Sequence, residues 1–292
     1  MTTDRPSPLG ADEQRALDQQ FTLDSVPYLD AIFARRAAAS RDAVNQFAVR
    51  RGIRYGATPA ETLNIFPAST PNAPIQLFIH GGFWSSLSAD DFSFLARGFT
   101  PYGAGLMVID YPLIPMVRMA DVVRACQRAI AWAFRHGAQY GLNANRIFIS
   151  GNSAGGHLVA EMMSRSWLRA AALPPDAIQG GCAISGLYDL APVAASFRND
   201  LLRLTPDEVA QFSPLRRPID VAAPMIVTVG GDETAEFLKQ SADYAAACRA
   251  AGSRVDHLVA PAANHITILL DEFANPDAPL NIAVRRQMGL IP

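Results

Sequence analysis

Six short apolar runs separated by helix-length stretches constrain this chain more than any other feature. They fall at residues 75–79, 106–109, 147–149, 178–184, 225–229 and 255–259. Their near-continuous apolar character, without polar alternation, reads as strands buried on both faces. Between them, residues 120–140 carry Val122, Val123, Cys126, Ile130 and Phe134 in helical register, and 157–171 and 236–251 also read as helices. Strand, helix and strand in repeated alternation imply right-handed crossovers and a mostly parallel, twisted sheet with helices on both faces. The fold class is therefore α/β. In such a sheet, chemistry belongs at the C-terminal ends of the strands.

A length of 292 residues allows one large domain or two average ones. Charge is nearly balanced, with 25 Lys+Arg against 27 Asp+Glu, so the chain carries no electrostatic footprint for nucleic acid or an anionic membrane. Charged residues make up 18% of the chain and apolar residues half of it, which suits a large buried core and excludes disorder as the main state. Cys126, Cys182 and Cys248 lie far apart in apolar stretches, without metal-type spacing, and are expected to be buried thiols in a reducing compartment. The polar N-terminus has no apolar secretion segment, and no stretch approaches a membrane span, so the expectation is a soluble cytoplasmic protein. Residues 26–43 mix apolar side chains with Arg35, Arg36 and Arg41, in the pattern of an amphipathic helix lying on something else.

The run at 147–149 leads straight into Gly151-Asn152-Ser153-Ala154-Gly155-Gly156, and a helix is expected to follow from His157. Gly-x-Ser-x-Gly arises by chance in roughly one chain in ten of this length. Placed between a buried strand and a helix it is far rarer, and that context is what a nucleophile elbow needs. There the serine is held in a strained turn, and flanking glycines avoid collisions with the neighbouring strand and helix. A second signal closes the run at 75–79, where His80-Gly81-Gly82-Phe83-Trp84 offers backbone N–H groups for an oxyanion. The N–H of Ala154, just after the serine, supplies the partner donor. His80 itself reads as a residue that orients this loop.

Ser153 requires a base. His136 ends a helix, His157 lies on the elbow helix and His257 lies within a strand, whereas His265 falls just past the last strand. Chain order then asks for a carboxylate after the run at 225–229, and Asp232 and Glu233 both stand there. Pattern alone does not choose between them.

At this point the chain resembles the α/β-hydrolases, and within them the arylformamidase (kynurenine formamidase) group near the hormone-sensitive-lipase-like esterases. The resemblance rests on His80 to Trp84, Asp110-Tyr111-Pro112, the elbow through His157, Ser185-Gly-Leu-Tyr-Asp-Leu190, Phe212-Ser213-Pro214 and residues 236–241, and so covers most of the chain. Trp84 favours formamidases, because the sister esterases usually carry a third glycine in this loop. Setting residues 236–241 against the matching family segment places the family's catalytic aspartate on Glu233, a departure in residue type, and Asp232 stays open.

The resemblance implies a serine hydrolase that removes a small acyl group from an aryl amide through an acyl-enzyme. The alternatives are a short-chain carboxylesterase or a hydrolase of xenobiotic amides, carbamates or esters. Ser153, Glu233 and His265 would form the triad, with Gly81, Gly82 and Ala154 as the oxyanion hole. Phe83, Trp84, Tyr111 and Tyr188 would form an aromatic wall for the leaving group. No metal or organic cofactor is required, the partner is a small molecule, and a homodimer is compatible with related hydrolases. Because the serine near 150 must meet residues beyond 230, both halves belong to one sheet. The expected organisation is a helical cap segment at 1–45 and a catalytic domain at 46–292, with a cap insertion at about 190–218.

Overall fold

The computed structural model of the protein describes residues 9–24 and 26–291. All six apolar runs enter one eight-stranded sheet: β1 (Arg50–Arg54), β2 (Thr62–Phe66), β3 (Ala73–Ile79), β4 (Gly105–Ile109), β5 (Leu142–Asn152), β6 (Ile178–Ile184), β7 (Met225–Gly230) and β8 (Val255–Ala260). Their spatial order is β1-β2-β4-β3-β5-β6-β7-β8. β2 runs antiparallel to both of its neighbours, and every pair from β4 to β8 is parallel.

The strand period of two explains why the runs are apolar throughout. In β3, Ile75, Leu77 and Ile79 point into one core, while Phe78 joins the other. β4 divides likewise, with Met107 and Ile109 on one side and Leu106 and Val108 on the other. Three long helices close the first core: α3 (Met119–His136), α4 (Ala154–Met162) and α5 (Ala235–Ala250) contribute Val122, Cys126, Ile130, Leu158, Phe237 and Tyr244. The second core is covered by α2 (Leu29–Gln46) through Ala43 and by α6 (Pro279–Gln287) through Leu280 and Val284.

Two expectations change in detail. The helix read over 157–171 is two helices, α4 and a short one at Arg165–Ala170. Between them the backbone turns to the 220–222 segment: Ser164 bridges Val221, and Met163 O accepts from Ala222 N–H at 2.7 Å. The amphipathic helix expected at 26–43 begins at Leu29 as α2, and it packs on the 89–95 segment after β3, with Ser40 Oγ donating to Asp91 O and Arg35 paired with Asp271. Residues that follow α1 (Ala11–Gln19) also reach the strand ends: Gln20 bonds Thr234 and Glu236, and Phe21, Thr22, Leu23 and Val26 line the pocket beside His265. The 190–218 segment folds into short helices, and α1 is tied to it by Gln14 on Ala195 O and by the Phe197 N–H on Asp18. Residues 1–8, where the polar N-terminus begins, lie outside the described residues.

Cys126, Cys182 and Cys248 are buried and outside any disulfide, and burial pushes each thiol up. Among the described residues no helix is long and apolar enough to cross a membrane, and no group of three or more His, Cys, Asp or Glu could hold a metal ion.

Candidate active site

β5 ends at Asn152, and Ser153 turns the chain into α4 with φ 59° and ψ −119°. A non-glycine residue in that region costs roughly 1–3 kcal/mol and persists only where its surroundings enforce it. The surroundings are tight. A Cβ on Gly155 would lie 2.0 Å from Ile79 O, so only glycine lets α4 approach β3 this closely. The Ser153 N–H donates to Ile184 O at 2.8 Å, which pins the turn to the end of β6. The strain thus holds Ser153, 3% exposed, at the sheet's C-terminal edge above the N-terminus of α4.

The Gly-Gly loop after β3 abuts this turn. A Cβ on Gly81 would stand 2.8 Å from Asn152 O and 3.2 Å from Ser153 Cβ. Gly82, at φ 98°, accepts from the Ser85 and Ser86 N–H groups and so starts a tight turn. Ala154 opens α4 and is fully buried. Gly81 and Ala154 therefore flank Ser153, and Gly82 follows next along the loop. His80 supports the loop from beneath: its ring stacks on Tyr111 at 4.3 Å and its Nδ1–H donates to Gly81 O at 2.7 Å. Burial holds the His80 pKa below its ordinary value, which keeps the ring neutral.

Beyond β8, His265 lies with its ring 4.5 Å from that of Phe237. Its Nδ1–H donates to Glu233 Oε2 at 2.6 Å. The other carboxylate oxygen, Oε1, accepts from Ser185 Oγ at 2.5 Å and from the Gly230 N–H at 2.8 Å. Glu233 thus has both oxygens engaged by groups at the ends of β6, β7 and β8. Its neighbour Asp232 is exposed at the rim of the same pocket. The turn after β7 decides between them: the Asp232 N–H donates to Ala263 O at 3.0 Å, and the next side chain faces inward.

The pocket beside His265 is small and mostly apolar, about 20 Å³, lined by Phe21, Leu23, Val26, Phe83 and Phe237 together with the acidic pair. Phe83 is the one member of the expected aromatic wall that lines it. The other three are corrected to packing roles. Trp84 is fully buried and donates to His157 Nδ1 at 3.2 Å. Tyr111 donates to His80 O at 2.9 Å. Tyr188 stacks on Tyr244 at 4.1 Å, its ring resting where Gly186 leaves room.

Four contributors escape the sequence reading. Ser185 orients Glu233 and stands at a strand end, which was a usable signal. Phe21, Phe237 and Arg198 had none, since they reach the site only through packing. Phe21 lies edge-on to Phe237 at 6.3 Å, and Arg198 donates to Phe21 O while its guanidinium lies over the Phe83 ring at 4.3 Å.

A strained serine between strand and helix, a glycine loop at its side and an acid-bound histidine past the last strand define a hydrolase of the α/β class. A family model described as the alpha/beta hydrolase fold matches residues 76–269, and the chain belongs to that family. Within it the chain falls in the group of esterases and formamidases. It is 29% identical to a kynurenine formamidase of Danio rerio over 224 residues, covering 74% of each chain. It is 30% identical to the esterase LipC of Mycobacterium tuberculosis over 248 residues, covering 76% of this chain and 60% of LipC. The crystal structure of a candidate thioesterase from a Silicibacter species superposes with a TM-score of 0.79 at 26% identity, over 91% of this chain and 97% of that one. The protein is a hydrolase of the arylformamidase or esterase kind.

Proposed function

We propose that the protein is a serine hydrolase that cleaves a small acyl group from an aryl amide of the N-formylkynurenine type. The observation that carries this reading is the His265 to Glu233 hydrogen bond at 2.6 Å, set at the same sheet edge as the strained Ser153. With its Nδ1–H committed to a carboxylate, the imidazole presents Nε2 as a base. Ser153 Oγ attacks the acyl carbonyl carbon as Nε2 takes its proton. The N–H groups of Gly81, Gly82 and Ala154 bind the oxyanion. Collapse of the tetrahedral intermediate breaks the C–N bond, and the imidazolium returns the proton to the leaving amine. Water, deprotonated by the same nitrogen, then releases the acid from the acyl-serine. Glu233 keeps its bond to Nδ1–H throughout and stabilises the imidazolium. The reading keeps the expected cap, the 1–45 segment with the insertion at about 190–218, and a cytoplasmic location.

The formamidase relatives favour a small acyl group on an aromatic amine, and Phe83 and Phe237 supply aromatic surface beside His265. The similarity to LipC favours a second reading, a short-chain carboxylesterase, which the same residues would serve. The two differ in leaving group. Measuring kcat/KM for N-formylkynurenine and for p-nitrophenyl acetate on one preparation separates them. The first reading expects the formamide to be turned over at least as efficiently, and a negligible formamide rate beside a robust ester rate selects the second.

A further inference from the structure

The loop that carries Gly81 and Gly82 is built from unfavourable backbone. Gly82, Phe83 and Trp84 are consecutive and all stand at positive φ, 98°, 48° and 55°. Two successive non-glycine residues in the left-handed region keep that conformation only where contacts over-determine it. The contacts converge on Trp84. Its indole is fully buried, its carbonyl accepts from the Ile114 N–H at 2.9 Å, and its Nε1–H donates to His157 Nδ1 at 3.2 Å. The two rings cross edge-on, with centroids 5.1 Å apart.

His157 belongs to the nucleophile's own helix. It lies one turn after Ser153, and its backbone N–H donates to Ser153 O at 3.0 Å. Its second ring nitrogen, Nε2, donates to Phe212 O at 2.8 Å. One ring nitrogen must therefore accept and the other donate, which fixes a neutral tautomer. Burial, with a smaller contribution from Arg217, pushes the His157 pKa down to about 4. Among the described residues, the carboxylate that approaches the ring, Glu161 at 4.0 Å from Nε2, is itself paired with Arg217. At neutral pH both hydrogen bonds persist.

We infer that His157 is a positioning residue for acyl transfer: by accepting the Trp84 indole N–H, it holds the strained glycine loop in register with Ser153 and Ala154 on α4. This rests on the acyl-transfer reading above. The imidazole touches no reacting atom. It links the two halves of the oxyanion hole, one on the loop after β3 and one on the first residue of α4, and its bond to Phe212 O fixes the ring plane. An ordinary core histidine would contribute stability alone, whereas a positioning residue sets the geometry of donors that act only in the transition state.

Three variants test it: His157→Leu, which removes both bonds, His157→Gln, whose amide can accept from Trp84 and donate to Phe212 O, and Trp84→Phe, which removes only the indole donor. Steady-state kinetics on p-nitrophenyl acetate are measured well below each variant's Tm, with fluorophosphonate labelling of Ser153 in parallel. The expectation is a loss on the order of 100-fold in kcat for His157→Leu, with KM changed by less than about threefold. Most of the rate returns in His157→Gln, and Trp84→Phe loses kcat in the same direction. A lowered Tm with kcat within threefold of wild type overturns the inference, as does equal impairment of the Leu and Gln variants. Should His157→Leu fail to fold, Trp84→Phe decides, and full kcat there is the overturning result. A wild type that hydrolyses the ester but is not labelled at Ser153 removes the acyl-transfer reading itself, which is a separate failure.

Discussion

Replacing Glu233 by Gln is the sharpest perturbation of the proposed chemistry, because it keeps the volume and exchanges one oxygen for an NH₂. Glu233 Oε1 accepts from two donors, Ser185 Oγ and the Gly230 N–H. The amide oxygen must take that position, since an NH₂ there would face both donors. The NH₂ then faces His265 Nδ1, 2.6 Å from the lost Oε2, and Nδ1 must become the acceptor. The ring proton moves to Nε2, which can no longer take a proton from Ser153. A misplaced tautomer of this kind costs about 10⁴-fold in kcat in a comparable triad, equivalent to about 5.5 kcal/mol of barrier. The assay is steady-state turnover of p-nitrophenyl acetate by Glu233→Gln, with Asp232→Asn as control and folding checked by circular dichroism. The exposed Asp232 should tolerate its change within about threefold. A folded Glu233→Gln within 100-fold of wild type, or a larger loss in Asp232→Asn, refutes the tautomer argument.

The glycine loop and the buried acid on α4 carry two further predictions. Gly81→Ala sets a Cβ 2.8 Å from Asn152 O and 3.2 Å from Ser153 Cβ, so the loop must retreat from the nucleophile. Its kcat should fall by about 10²-fold or more, as when one oxyanion donor is lost, and stopped-flow or steady-state kinetics showing less than a fivefold loss would contradict the placement. Glu161 is nearly fully buried, and desolvation outweighs its pairing with Arg217, raising its pKa from 4.5 to about 7. Raised in the folded state, it favours folding at pH values below about 4.5 and loses that contribution as pH climbs through 7. Relative to Glu161→Gln, the wild type should therefore lose about 3 kcal/mol between pH 4.5 and 8. Denaturant unfolding at the two pH values reads the difference, and a wild type that gains on the variant as pH rises would reverse the sign.

The central strands were legible because both faces of β3 to β7 are covered, so burial itself writes uninterrupted apolar runs. β1 was not. Its sequence, Arg50-Arg51-Gly52-Ile53-Arg54, is that of an exposed edge strand, and pairing with β2 rather than burial holds it in place. The helix break at Met163 and Ser164 was invisible for a related reason, since it depends on backbone groups claimed by residues 220–222.

At the site, strand-end position located Ser153, His265 and the acidic pair, because chemistry in this architecture collects where strands end. It did not say which way a strand-end ring turns. Trp84, Tyr111 and Tyr188 were expected along the pocket, yet each has a partner beneath the loops that holds it inside. The choice between Asp232 and Glu233 was likewise a matter of turn geometry: Glu233 faces the Gly230 N–H and Ser185, and no composition rule encodes that.

The proposal that Ser153 is the nucleophile of an acyl-enzyme is tested most directly by intact-protein and peptide mass spectrometry after fluorophosphonate treatment. The account predicts one adduct on the peptide holding Ser153, none on Ser153→Ala, and hydrolytic turnover that disappears in step with labelling. Turnover that survives in Ser153→Ala, or an adduct on another residue at the same rate, would contradict it.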